Sequence, residues 1–158
     1  RRDGALPITA IVTGVDNSTA ESFAKREHFH AIYRGVANKG EAIDRLRATY
    51  QLETTQIACI FDDINDLGMA AECGVRFLVH RSSSPLLRDF VSRNDYCDYI
   101  TAAEADEFAV RECVELMLGV MGAFDSVVRS RAAHDGDYQR YFSARQAIET
   151  QFMNGPEP

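Results

Sequence analysis

Short apolar runs alternate with amphipathic segments along most of the chain. Apolar runs of a few residues are typical of buried strands, whereas apolar residues that recur at helical spacing are typical of helices. This pattern predicts strands at 8–13, 31–33, 57–61, 75–79 and 99–100. It also predicts helices at 18–28, 38–50, 66–74, 84–91 and 105–121.

The order of these predicted elements indicates the fold class. Helices that alternate with apolar strands form α/β folds, in which a mostly parallel sheet carries helices on both faces. A length of 158 residues with 46% apolar residues is sufficient for one such domain. We therefore expect an α/β core at 1–124. The weaker pattern at 125–158, with helical periodicity around 138–152, predicts a C-terminal helical extension.

Charge and apolar content narrow the classes of partner. The net charge is −7 and the sequence pI is about 5.0, and no block of lysine and arginine occurs. Because nucleic-acid-binding proteins usually carry such blocks, we expect no nucleic-acid partner. No apolar run approaches the roughly 20 residues that a membrane-spanning helix needs, so we expect no membrane partner. The cysteines are widely spaced and form no C-x-x-C pair, which favours free thiols in a reducing cytoplasm.

The most informative motif is acidic and follows the predicted strand at 57–61. Asp62, Asp63 and Asp66 come directly after this strand. Open α/β sheets bind ligands at the carboxyl ends of their strands, and Mg²⁺ is held there by one or two carboxylates with phosphate and water. We interpret the three aspartates as a Mg²⁺ site. The alternative is a solvated turn or a helix N-cap, since aspartate is common in both.

Two further positions suit the binding of phosphate. Thr13-Gly14 ends the first predicted strand, and Lys39 opens the second predicted helix. A hydroxyl and an unhindered backbone amide suit phosphate oxygens, and lysine adds a compact positive charge. With the acidic motif, these residues predict a phosphoryl-transfer site. Taken singly, Lys39 reads as a surface lysine and Thr13-Gly14 as a strand end with a turn.

The ordered set of motifs resembles a known family. The motifs are, in order, Val12-Thr13-Gly14, Asn38-Lys39-Gly40, Asp62-Asp63-Ile64-Asn65-Asp66 and Met69-Ala70-Ala71-Glu72-Cys73-Gly74-Val75. In this order the chain resembles phosphatases of the haloacid dehalogenase superfamily. Within that superfamily it is similar to the small capless sugar-phosphate phosphatases typified by 3-deoxy-D-manno-octulosonate 8-phosphate phosphatase. The likeness runs from about Arg2 to Met121.

The resemblance implies a Rossmann-like core without a large cap domain. It implies a Mg²⁺-dependent phosphomonoesterase that acts on a small sugar or sugar-acid phosphate through a phosphoaspartate. Thr13 and Gly14 would bind the phosphoryl group, and Lys39 would offset its charge. Asp62 would ligate Mg²⁺, with Asp63 and Asp66 as supports. Because a capless site is open unless neighbouring subunits close it, the resemblance also implies a homo-oligomer, namely a tetramer.

From this resemblance, the expected catalytic residues are Lys39, Asp62 and Asp66. The chain departs from the family pattern at Phe61, where glycine is usual, and at Gly40, where a larger residue is usual. Val15 also stands where an arginine often follows Thr-Gly.

The nucleophile of the family is the largest departure. These enzymes attack phosphate with an aspartate of an Asp-x-Asp motif, and no such motif precedes Thr13. Asp3-Gly4 more closely resembles the stretch that follows the motif. We expect the nucleophile on an upstream segment. The alternative is a non-catalytic regulatory or assembly domain of the same fold, which would explain the missing motif and Phe61 together.

Overall fold

A computed structural model describes residues 6–155, which divide into two compact units. The first unit comprises the described parts of Arg1–Ala37 and Gly122–Pro158, and the second is Asn38–Met121. The start of the family resemblance at Arg2, the Asp3-Gly4 pair and the last residues of the predicted extension, 156–158, lie outside the described residues.

The strands and helices follow the predicted alternation. The strands are β1 Ala10–Val12, β2 Ala31–Arg34, β3 Ala58–Phe61, β4 Val75–His80, β5 Tyr99–Glu104 and β6 Gln151–Asn154. The helices are α1 Ser18–Arg26, α2 Lys39–Tyr50, α3 Leu67–Ala71, α4 Pro85–Arg93, α5 Ala109–Val120, α6 Phe124–Ala133 and α7 Gly136–Gln146. None of the helices within residues 6–155 has the length and apolar character needed to cross a membrane.

The first unit contains a parallel sheet with the order β1-β2-β6. β2 is central, and its Ala31, Ile32 and Tyr33 are fully buried, as the continuous apolar run predicts. Beyond β1 the pairing continues for one residue, because the Thr13 N–H donates to the Tyr33 carbonyl oxygen at 2.8 Å. This bond sets the backbone of Thr13 beside the end of β2.

The C-terminal segment of the first unit differs from the predicted helical extension. α6 and α7 are helical, but Gln151–Asn154 is a strand that pairs in parallel with β2. The prediction of a helix through residue 152 is therefore wrong for its last residues. The predicted boundary after residue 124 stays a prediction.

The second unit contains a parallel sheet with the order β3-β4-β5. Phe61 at the end of β3 lies beside Leu78 of β4. Phe77, Leu78 and Val79 are buried, so β4 forms the centre of this sheet. Because β3 and β4 are parallel, the residues that follow both strands lie at the same edge of the sheet.

Gly74 has a different role from the one its position suggests. A glycine at the end of a predicted helix is commonly a left-handed cap, but α3 ends at Ala71 and Gly74 does not have a positive φ angle. A Cβ atom on Gly74 would lie 2.7 Å from the Thr55 Cα and 2.8 Å from the Thr54 carbonyl oxygen. Glycine is needed here because two backbone segments approach closely.

The apolar stripe of α5 is only partly buried. Cys113 is fully buried, whereas Val110 and Val114 and, directly after the helix, Met121 are exposed. The apolar residues of this segment are therefore divided between the core and the surface. The predicted free thiols are found, since Cys59, Cys73, Cys97 and Cys113 form no disulfide.

The predicted fold class is confirmed. All the described strand pairings are parallel, strands alternate with helices, and no large cap domain is inserted within residues 6–155. The strands belong to two three-stranded sheets, one in each unit.

Candidate active site

The second unit brings Lys39 and the acidic motif together at the carboxyl edge of its sheet. Asp62 and Asp63 follow β3 directly, and a single turn of 3-10 helix, Ile64–Asp66, leads into α3. Lys39 is the first residue of α2. The elements that position these side chains are therefore the end of one strand and the beginnings of two helices.

Asp66 is the buried centre of this arrangement. Its side chain is only 7% exposed, and its Oδ1 forms an ion pair with the Lys39 ammonium group. Its Oδ2 accepts the backbone N–H of Asp63 at 3.3 Å and that of Asp62 at 3.5 Å. A buried carboxylate is stable only when it is paired and hydrogen-bonded, and Asp66 is both. Asp66 therefore holds the acidic loop and Lys39 in one arrangement.

Close backbone packing brings Lys39 to Asp66. Asn38 caps α2 by accepting a hydrogen bond from the Gly40 N–H at 3.3 Å. A Cβ atom on Gly40 would lie 3.2 Å from the Gly68 carbonyl oxygen in α3. The small residue at position 40, which departs from the family pattern, lets the first turn of α2 approach α3.

Asp63 caps the 3-10 turn. Its Oδ1 accepts the Asn65 backbone N–H at 2.9 Å and the Asn65 side-chain amide at 2.8 Å. A helix N-cap, which is the alternative interpretation of the acidic motif, is thus present at Asp63. Its Oδ1 serves the loop itself.

Asp62 pairs with an arginine that the sequence analysis did not single out. Its Oδ2 lies 2.5 Å from the Nη2 atom of Arg81, and the two side chains are 34% and 43% exposed. Arg81 directly follows β4, so it lies at the same sheet edge as Asp62. Its position at the end of a strand was the available signal.

The three carboxylates of the acidic motif differ in how well they suit Mg²⁺. Within residues 6–155, no group of three or more His, Cys, Asp or Glu side chains is arranged to hold a metal ion. Mg²⁺ prefers oxygen donors and needs only one or two protein carboxylates when phosphate and water complete its shell. The half-exposed Asp62 fits this requirement, whereas Asp63 and Asp66 are engaged by their own loop. Their roles at a metal stay predictions.

Phe61 and the thiol of Cys59 belong to the interior of the second unit. The Phe61 side chain is 3% exposed. A hydrogen bond with Cys73, together with burial, raises the pKa of the Cys59 thiol above its ordinary value. Cys59 therefore stays protonated near neutral pH and acts as a packed apolar residue rather than a nucleophile.

Thr13 and Gly14 lie in the first unit. The Thr13 hydroxyl donates to the Val15 carbonyl oxygen at 3.1 Å. The Thr13 hydroxyl oxygen in turn accepts a hydrogen bond from the Val15 N–H at 3.4 Å. A Cβ atom on Gly14 would make ordinary contact with the Val36 carbonyl oxygen at 3.7 Å. Their predicted role in phosphate binding stays a prediction.

Comparisons with known proteins give matches among solved structures. No protein-family model and no curated protein matches the sequence. The 3-deoxy-D-manno-octulosonate 8-phosphate phosphatase of Yersinia pestis is 29% identical, with a TM-score of 0.65, and the match covers 73% of this chain and 59% of that protein. The enzyme of Moraxella catarrhalis, solved with magnesium, phosphate and a KDO molecule, is 28% identical with a TM-score of 0.65. That match covers 77% of this chain and 66% of that protein.

A third structure shares the fold. The cobalt-bound deoxy-D-mannose-octulosonate 8-phosphate phosphatase of Haemophilus influenzae is 23% identical, with a TM-score of 0.63, over 73% of this chain and 63% of that protein. The chain thus spans 59 to 66% of the length of these three proteins. The resemblance predicted from the motifs is confirmed: the chain is similar to the 3-deoxy-D-manno-octulosonate 8-phosphate phosphatases of the haloacid dehalogenase superfamily.

Proposed function

We propose that this protein is a Mg²⁺-dependent phosphomonoesterase that acts on a small sugar or sugar-acid phosphate through a phosphoaspartate. The observation that carries the proposal is the pairing of Lys39 with Asp66 beside Asp62 at the carboxyl edge of β3. The likeness to phosphatases, one of them solved with magnesium, phosphate and a sugar acid, supports it.

Each side chain has a distinct task in this proposal. Asp66 fixes the loop, and Lys39 presents its ammonium group, which has further N–H donors for a phosphate oxygen. Asp62 would hold Mg²⁺, which neutralises charge on the phosphoryl group when it is bound. Thr13 and Gly14 would bind the phosphoryl oxygens by a hydroxyl and a backbone amide. None of these residues would be the nucleophilic aspartate that forms the phosphoaspartate.

The setting of the enzyme is part of the proposal. The net charge of −7 favours a small-molecule substrate over nucleic acid or an anionic membrane surface. The free cysteines favour the reducing cytoplasm. A homotetramer would close the capless site.

A second candidate is a non-catalytic domain of the same fold that binds a sugar phosphate for regulation or assembly. The ion pair between Asp62 and Arg81 favours it, because the carboxylate already has a cationic partner.

Phosphate release by the Asp62→Ala variant tests the first proposal. We expect a loss of about 100-fold or more in kcat/KM, because a charge-stabilising group of the transition state is removed. Asp125→Ala is the matched control, since Asp125 is an exposed aspartate of α6 in the other unit. An Asp62→Ala rate equal to the control rate would contradict the assignment, whereas sugar-phosphate binding without turnover by the parent protein would favour the second candidate.

A further inference from the structure

Arg81 is held less firmly than Arg76, the arginine within β4. The Arg76 side chain is 16% exposed, and its guanidinium binds Asp98 at 2.8 and 3.0 Å and Asp95 at 3.2 Å. Arg81 is more than twice as exposed, and within residues 6–155 its ion pair is with Asp62. The Arg76 network anchors two chain segments, whereas Arg81 can leave its partner for solvent at little cost.

Two ion pairs form at the sheet edge, and Arg81 also acts electrostatically on Glu104. Lys39 neutralises Asp66, which leaves Asp62 with Arg81 as its own cation. The backbone N–H of Asp62 is bound to Asp66, so the position of the Asp62 main chain is fixed independently of Arg81. The guanidinium is therefore unnecessary for holding the Asp62 main chain in place, and it acts on the side-chain carboxylate.

A divalent cation and the Arg81 guanidinium compete for the same oxygen. Nη2 lies 2.5 Å from Oδ2 of Asp62. A metal ion on that oxygen would stand next to a positive charge, and the two cations would repel each other. Metal binding at Oδ2 of Asp62 therefore requires the guanidinium to move away.

We propose that Arg81 is the resident counter-cation of Asp62: it occupies the carboxylate in the metal-free protein, lowers its affinity for a divalent cation, and is displaced when the cation binds. Arg81 is then a residue that sets the metal affinity of the site and is not a catalytic group. This inference rests on the proposed role of Asp62 as a metal ligand.

Calorimetric titration of the full chain with Mn²⁺ tests the inference without any activity measurement. We expect Arg81→Gln to bind Mn²⁺ about two- to fivefold more tightly than the parent, which is the size of an exposed ion pair expressed as a ratio. Arg81→Lys, which keeps the charge, should stay closer to the parent. Arg88→Gln is the matched control, because Arg88 lines the same small cleft as Asp62 and Arg81 but pairs with Asp89. It should change the affinity less than twofold.

The possible outcomes separate the two levels of the proposal. Unchanged or weaker Mn²⁺ binding by Arg81→Gln, or an equal gain in Arg88→Gln, overturns the inference about Arg81. If Asp62→Ala binds Mn²⁺ as tightly as the parent, the metal role of Asp62 in the proposed function fails, and the inference fails with it. Loss of binding in Asp62→Ala with no effect of Arg81→Gln leaves the proposed function standing and removes only the inference.

A second measurement uses the unmodified protein and so does not depend on how a variant folds. The side-chain N–H resonances of Arg81 should move toward those of free arginine when Mg²⁺ is added. Those of Arg76 should stay in place, because its partners lie elsewhere. An Arg81 signal that does not respond while Mg²⁺ binds would overturn the inference.

Discussion

Removing the ammonium group of Lys39 should destabilise the second unit strongly. The perturbation is Lys39→Met, which keeps most of the apolar stem and removes the charge. Asp66, whose side chain is 7% exposed, would then keep only its hydrogen bonds from the Asp62 and Asp63 N–H groups. An uncompensated buried carboxylate is costly, so the folded state should lose stability.

The structure sets the size of this effect. Removing one partner of a buried ion pair costs about 3–5 kcal/mol. The Lys39 side chain is 16% exposed, so some solvent reaches the pair and the lower end, about 3 kcal/mol, applies. Asp66→Asn keeps an acceptor oxygen for the loop and leaves Lys39 to turn toward water, so it should cost about 1–2 kcal/mol.

A double-mutant cycle tests the reasoning behind these numbers. Lys39→Met/Asp66→Asn should cost about 2 kcal/mol, less than the sum of the single variants, which gives a coupling energy of about 2–3 kcal/mol. Urea unfolding followed by circular dichroism at pH 7 measures all three variants. The control Arg129→Met breaks an exposed pair with Asp125 and should cost less than about 0.5 kcal/mol. A coupling energy below about 0.5 kcal/mol would refute the buried pair as the organising contact.

Three further predictions follow from other contacts. Gly74→Ala should lower the free energy of unfolding, measured with urea, by about 1–3 kcal/mol because the new Cβ would lie 2.7 Å from backbone. The control Gly119→Ala has open space around it and should be neutral or stabilising, and equal effects of the two variants would contradict the prediction. The Arg76 guanidinium holds the pKa of Asp98 below its usual value. The Asp98–Arg76 interaction therefore stabilises the folded state above about pH 4, and this contribution is lost as the pH falls through the lowered pKa. Asp98→Asn should therefore flatten the acid side of the stability curve measured by urea unfolding, and an unchanged curve would refute the assignment. Burial raises the pKa of Cys113 to about 11, so iodoacetamide near pH 8 should label this thiol only after unfolding. Peptide mass spectrometry detects the label, and labelling of Cys113 in the native protein would contradict the prediction.

Local signals in the sequence were sufficient for much of the second unit. The apolar run that ends at Phe61 predicts β3 and the helical spacing over residues 38–50 predicts α2, and both are found. Lys39 and the acidic motif were expected at one site from their positions in the predicted elements, although Lys39 and Asp66 are 27 positions apart. Their burial as an ion pair depends on how closely α2 packs against α3.

The features that the sequence could not predict depend on tertiary contacts. Arg81 is one arginine among many until the pairing of β3 with β4 brings it to Asp62. β6 is a short segment whose pairing partner lies about 120 residues earlier in the chain. Gly74 follows a helix like many caps, and only the approach of Thr55 distinguishes its actual role.

The proposed activity is Mg²⁺-dependent hydrolysis of a small sugar or sugar-acid phosphate. It is tested by phosphate release from 3-deoxy-D-manno-octulosonate 8-phosphate by the purified protein, with Mg²⁺ and then with excess EDTA. We expect release that depends on Mg²⁺, stops with EDTA and returns when Mg²⁺ is restored. Saturable binding of the sugar phosphate without any release of phosphate would contradict the proposed activity and favour a non-catalytic binding domain.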